Sequence, residues 1–196
     1  MNLDITYTNY IFLAVAAPFA LWSAWSDLKF MKIPNILVLT MTGAFLISGA
    51  ILLPIDVYLW RLLGGFIVLV IGFTLFSLGG VGGGDAKFAA AMALFIDHAH
   101  ISVFLFELSL FALLGVILHK IVGKLGFMNP ITDNWESWRI EKTSKKKNFP
   151  LGLGMSAALI FYQLSVVGLF TTLDAPADML DASDMLLPPQ LDSSTN

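Results

Sequence analysis

Leu59-Trp60-Arg61-Leu62-Leu63-Gly64-Gly65-Phe66-Ile67-Val68-Leu69-Val70-Ile71-Gly72-Phe73-Thr74-Leu75-Phe76-Ser77-Leu78 carries a single charge, Arg61, near one end. At a rise of about 1.5 Å per residue, a helix of this length spans the roughly 30 Å of a bilayer's hydrocarbon core. The stretch lacks the apolar–polar alternation that a barrel strand needs. Helix is therefore expected, since in lipid the backbone must satisfy its own hydrogen bonds. Five further apolar runs flank it, at roughly Tyr10–Ser26, Ile36–Leu53, Phe88–Ile96, Ile101–Val122 and Leu151–Leu173. The Phe88–Ile96 run is short, so its helix is expected to begin near Asp85 and to take in Lys87. Breaks fall at Pro34-Asn35, at Pro54, along Gly79 to Gly84, at Asp97 and across the polar stretch from Lys124 to Asn148. The chain reads as an all-α membrane protein, a polytopic bundle of about six transmembrane helices.

Composition agrees. Of 196 residues, 57% are hydrophobic and 13% charged, with a mean hydropathy of +0.80. A soluble domain has about 25% charged residues, so this chain lacks the polar surface to cover itself in water. With no cysteine, disulfides, zinc–thiolate sites and a cysteine nucleophile are excluded together. The first ten residues hold Asp4 and no Lys or Arg, unlike the basic start of a cleavable signal peptide.

Charge is segregated along the chain. Of the 11 Lys and Arg residues, all but Arg61 fall on one side of a six-span arrangement. That side is expected to face the cytoplasm, with both termini outside. Asp4, Asp56, Asp97 and the residues from Asp174 to Asp192 would then be external. Residues 174–196 read as an acidic, disordered external tail. Residues 1–173 form a single transmembrane domain, with a cytoplasmic loop at about 123–149.

Two carboxylates sit where spans meet the cytoplasmic side. Asp27 ends the first span, and Asp85 closes the glycine run and opens the fourth helix. Three passes of the membrane return the chain to the same depth, so the two helix ends can meet. Paired carboxyl groups a few ångströms apart cannot both ionise, and one keeps a proton. The ionised member can take a proton from water attacking a peptide carbonyl while the protonated member polarises that carbonyl. The pair titrates as a unit, which leaves open which residue holds the proton. Gly82, Gly83 and Gly84 would let an extended substrate approach. A helix beginning at Asp85 puts its carboxylate near a positive dipole end. Lys87 either favours the ionised form or snorkels to the headgroups. Taken singly, each aspartate reads equally well as an interfacial helix cap.

The sequence contexts tilt the balance. Asp27-Leu28-Lys29-Phe30-Met31-Lys32-Ile33-Pro34-Asn35 resembles the first aspartate motif of prepilin peptidases, an aspartate before basic residues and Ile-Pro-Asn. Gly82-Gly83-Gly84-Asp85-Ala86-Lys87 resembles their second, Gly-x-Gly-Asp followed two residues later by lysine. That motif is shared more loosely with presenilin-like and signal-peptide-peptidase-like enzymes. The resemblance runs from about Ser23 to Pro150. It implies an aspartyl endopeptidase of the bacterial inner membrane that removes the short, basic leader of prepilin-like precursors on the cytoplasmic side. It also implies that Asp27 and Asp85 are the catalytic pair and that no cofactor is used. Phe149-Pro150-Leu151-Gly152 resembles the family's late Pro-x-Gly element, which would give Pro150 and Gly152 a part in shaping the site. The larger bifunctional members carry an N-terminal cytoplasmic insertion, often with Cys-x-x-Cys pairs, and methylate the new terminus. The lack of cysteine and of room before Asp27 resembles the short, peptidase-only branch associated with tight-adherence (Flp) pili.

Other features are weighed beside this reading. Glu107 lies within the fifth span, toward its outer end, and is expected to be protonated or hydrogen-bonded in packing, with Arg61 or a backbone carbonyl as partner. Asp97-His98-Ala99-His100 suggests a metal site at first sight, but a solvated external turn fits better, since a site needs three or four convergent ligands. Trp135, Trp138, Ile140 and Lys145 to Lys147 fit either an interfacial segment on anionic lipid or an ordinary positive-inside loop. Expected partners are the precursor substrate and membrane lipids, with no nucleic acid. The competing functions are a small transporter or channel, and a non-catalytic pilus assembly factor. The transporter reading lacks the internal repeat and mid-membrane carboxylates usual in transporters.

Overall fold

A computed structural model describes residues 5–124, 134–138 and 149–170. Among the described residues, six α-helices of more than ten residues follow in chain order: α1 (Ile5–Phe30), α2 (Asn35–Leu52), α3 (Ile55–Ser77), α4 (Gly83–Ala93), α5 (Ile101–Lys124) and α6 (Leu151–Ser165). A 3₁₀ turn, His98–His100, precedes α5, and a π turn, Val166–Phe170, follows α6. No strand occurs among the described residues, and the protein is an all-α, polytopic membrane protein.

Proline marks the starts. Pro34, Pro54 and Pro150 are the N-cap residues of α2, α3 and α6, and none of the three supplies a side-chain cap. Proline disfavours helix in the residue before it, so each ends the preceding chain direction. Among the described residues, five stretches are long and apolar enough to cross a membrane: α1, α2, α3, α5 with its 3₁₀ lead-in, and α6 with its π turn. The fourth run forms the shorter helix anticipated for it. Its 11 residues begin at Gly83 and take in Asp85 and Lys87, a length of about 16 Å.

The most extensive pairings are α1 with α6, α3 with α4, and α5 with α6. Small residues let these backbones approach, as lipid-embedded helices require. A Cβ on Gly72 of α3 would stand 3.0 Å from that of Ala86 on α4, and one on Gly154 of α6 would stand 2.8 Å from Cα of Ala112 on α5. The α4 helix runs antiparallel to α3, from Gly83 beside Phe76 to Leu94 beside Gly65. Inside, rings of Phe12, Phe45 and Phe95 pack at 5.2–5.9 Å between centroids, with Leu37, Met41, Phe88 and Met92 buried around them. Phe66, Val70 and Phe73 on α3, and Phe106 and Leu113 on α5, face outward. Such apolar faces suit hydrocarbon rather than water.

Three expectations are revised. Asp97 is no plain solvated turn residue. It accepts a hydrogen bond from the Ala99 N–H, pairs with Arg61 at 3.1 Å, and its own N–H donates to the Tyr162 hydroxyl. Arg61 therefore pairs with Asp97 rather than Glu107, and Glu107 Oε2 is buried with no hydrogen-bond partner among the described residues. Trp138 is buried against His119 and not spread on an interface. Ile140, Lys145 to Lys147 and the acidic tail lie outside the described residues.

Candidate active site

At its C-terminal end, α1 must turn sharply for α2 to return. Phe30 is its last residue, and Met31 takes the left-handed conformation (φ 51°) that commonly closes a helix. The Met31 N–H bonds to the Asp27 carbonyl at 2.9 Å. Ser26 Oγ donates to the Lys32 carbonyl at 2.7 Å, lacing the turn to the helix it leaves. Ile33 is buried against Gly84, whose position is 3.4 Å from Ile33 Cβ when a Cβ is built on it. The turn after Asp27 is thus seated against the residue before Asp85, which joins the two sequence motifs in space.

Asp27 is 5% exposed. It lies in the last turns of α1, where a carboxylate faces the negative end of its own helix dipole. Its compensation comes from elsewhere. The first N–H groups of a helix lack partners within it, and Pro150 gives α6 no side-chain cap. The Gly152 N–H donates to Asp27 Oδ2 at 2.7 Å, across 125 residues of sequence. Asp27 therefore caps α6 from outside.

Asp85 caps its own helix. Gly82 is the N-cap of α4, and Asp85, three residues on, stands at the capping-box position with its carboxylate folded back over it, Oδ2 2.8 Å from where a Gly82 Cβ would be. The bland reading of Asp85 as a cap is realised. It is compatible with chemistry, because Asp85 is only half-buried. The starts of α4 and α6 thus each hold one carboxylate, and the Ile33–Gly84 contact brings the two motifs together.

The remaining expected residues separate by role. Gly152 touches Asp27 directly; a Cβ there would stand 2.8 Å from Oδ2 and 3.0 Å from Asp27 Cβ. Pro150 is fully buried just ahead of it. A Cβ on Gly82 would meet Asp85 Oδ2 at 2.8 Å, whereas one on Gly83 would meet only the Phe76 ring. Lys87 turns away from the pair: its Nζ donates to Asn35 Oδ1 at 3.2 Å. With Asn35, Val38, Leu62 and Ala90 it lines an open groove of about 550 Å³ between α2, α3 and α4. The lysine of the second motif thereby holds the asparagine of the first. What residue-by-residue reading missed is the Gly152–Asp27 bond, for which the only signal was the Pro-x-Gly element.

The sequence model of the type IV leader peptidase family matches residues 14–118, a span that includes both aspartates. No curated protein and no solved structure matches the chain.

Proposed function

Because this chain belongs to the type IV leader peptidase family, we propose that it is an aspartyl endopeptidase with Asp27 and Asp85 as its catalytic pair. Its substrates are pilin-like precursors, and it removes their short, basic leader at the cytoplasmic edge of the inner membrane. The observation that carries the reading is that the starts of α4 and α6 each hold one carboxylate, in motifs brought together by the Ile33–Gly84 contact. An isolated cap needs one carboxylate at one helix start. Bringing two together costs repulsion, which the amides offset, and makes sense for chemistry that shares a proton between them.

Asp27 is buried and held by the Gly152 amide, while Asp85 is half-exposed. Water and the scissile peptide approach from the Asp85 side. One carboxylate removes a proton from the attacking water, and the other, protonated, donates to the peptide carbonyl oxygen as it becomes tetrahedral. The proton taken from water then passes to the departing amine nitrogen; as the C–N bond breaks, a hydroxyl of the tetrahedral diol returns its proton to the other carboxylate and the carbonyl re-forms, so the pair again holds a single shared proton. Gly82, Gly83 and Gly84 leave the rim of the site without bulky side chains, and Pro150 holds the turn that presents Gly152. Lys87 acts at one remove, by tying the start of α2 to α4 through Asn35.

The concentration of Lys and Arg at the Asp27–Asp85 end supports an orientation with that end in the cytoplasm and both termini outside. The absence of cysteine supports the peptidase-only branch, without terminal methylation. Co-expression with a candidate pilin precursor tests the reading: leader loss on a gel, with the new N-terminus read by mass spectrometry, is the expected result. Intact precursor beside correctly inserted protein would leave an assembly factor, and ion flux through cleavage-dead protein would leave a transporter.

A further inference from the structure

We propose that Trp138 and His119 are positioning residues for the aspartate pair, setting the start of α6 so that the Gly152 amide meets Asp27. The proposal rests on the peptidase reading of that pair for its consequence, though not for its geometry. His119, 3% exposed, lies near the end of α5. Its ring stacks on Trp138 at 4.7 Å with the planes 5° apart, and Trp138 Nε1–H donates to the His119 carbonyl at 2.9 Å. The indole occupies a notch that exists because residue 123 is glycine: a Cβ there would stand 2.9 Å from Trp138 Cδ1.

His119 also meets the Phe149 ring edge-on at 5.9 Å. Phe149 fills the space over Gly115, where a Cβ would come within 3.2 Å of it. Phe149 leads directly into Pro150, whose ring fixes φ, and Gly152 follows two residues later. Gly154 then abuts the backbone of Ala112. The first turn of α6 is thus held between the Trp138–His119–Phe149 stack and the α5 backbone. A hydrogen bond of 2.7 Å does not survive a displacement of about 1 Å without weakening, and displacements of that size at a catalytic group cost up to about 100-fold in rate. Trp138 and His119 act through Phe149 and Gly152.

The test compares Trp138→Ala and Trp138→Phe with the wild-type chain in detergent. Trp138→Ala should lower kcat about tenfold with KM within about twofold. Trp138→Phe keeps an aromatic ring on His119 and should stay within about threefold of wild type. Trp138→Ala leaves a cavity and should melt below wild type, so kcat is compared per folded protein at a temperature where both remain folded; Trp138→Phe should melt nearer the wild-type temperature. In glycine-labelled protein, the Gly152 amide proton resonance should move in Trp138→Ala, a readout that does not depend on cleavage. An unmoved Gly152 resonance overturns the proposal, whether or not the wild type cleaves a precursor. So does a loss of activity in Trp138→Ala that tracks a loss of folded protein. If the wild type shows no cleavage while the Gly152 resonance moves, the positioning stands and the peptidase reading alone fails.

Discussion

At the scale of single residues, Asp27 is placed against the dipole of its own helix and stabilised by the start of another. Gly152 is what makes this contact available. Gly152→Ala would bring a methyl group to 2.8 Å from Asp27 Oδ2, so either the carboxylate or α6 must move. A fall in kcat of about 10- to 100-fold is expected, with insertion into the membrane unchanged by fractionation. Lys87→Ala should reduce leader cleavage without abolishing it, because Lys87 reaches Asn35 and not the carboxylates. The two aspartates could be read from their neighbours in sequence, since each sits in a short motif. The Gly152 contact could not be read that way. It joins positions 125 residues apart through a backbone N–H, which every residue except proline possesses. Likewise, Trp138 fits from sequence either an interfacial anchor or an ordinary positive-inside loop, and only the glycine at position 123 hints at the notch that receives it.

At the scale of elements, hydropathy and proline placed the helices, because a bilayer leaves the backbone few alternatives. How the helices pair was less legible. Of the glycines within helices, those at Gly72 and Gly154 lie under a neighbouring backbone, whereas Gly43 and Gly64 have nothing within 4 Å of a built Cβ; no periodicity distinguishes the two kinds. Gly154→Ala should therefore destabilise the fold by about 1–3 kcal/mol, the usual cost of overpacking. Gly64→Ala should be neutral or slightly stabilising, as alanine is the better helix former. Melting curves of the two variants in one detergent would check this, and equal melting temperatures would count against the α5–α6 contact. The short α4 is also explained at this scale. It is walled by α3 on one side and the Phe12–Phe45–Phe95 cluster on the other, and it carries Asp85 at one end and leads to Asp97 at the other.

At the scale of the whole molecule, the bundle has two polar ends. The Asp27–Asp85 end is open on the Asp85 side, while the other is closed by Arg61, Asp97 and Tyr162. Burial raises the Asp97 carboxyl, but the Ala99 N–H and the Arg61 guanidinium outweigh it and hold it below its ordinary value of 3.8. A carboxyl depressed by folding adds stability above its unfolded value and loses it as pH falls through its folded value. Asp97→Asn should thus be less stable than wild type by roughly 1–2 kcal/mol at neutral pH, and the gap should close as pH drops below 3.8. Melting temperatures across an acid series would show it; a constant gap would mean that the pair does not act through its charge. On the proposed reading, a peptide is cut at the Asp27–Asp85 end. The most direct measurement is leader removal from a pilin precursor by wild type, Asp27→Asn and Asp85→Asn, each shown to be inserted in the membrane to the same level. Cleavage by wild type and none by either variant is the predicted result, and cleavage at the wild-type rate by either variant would contradict the account.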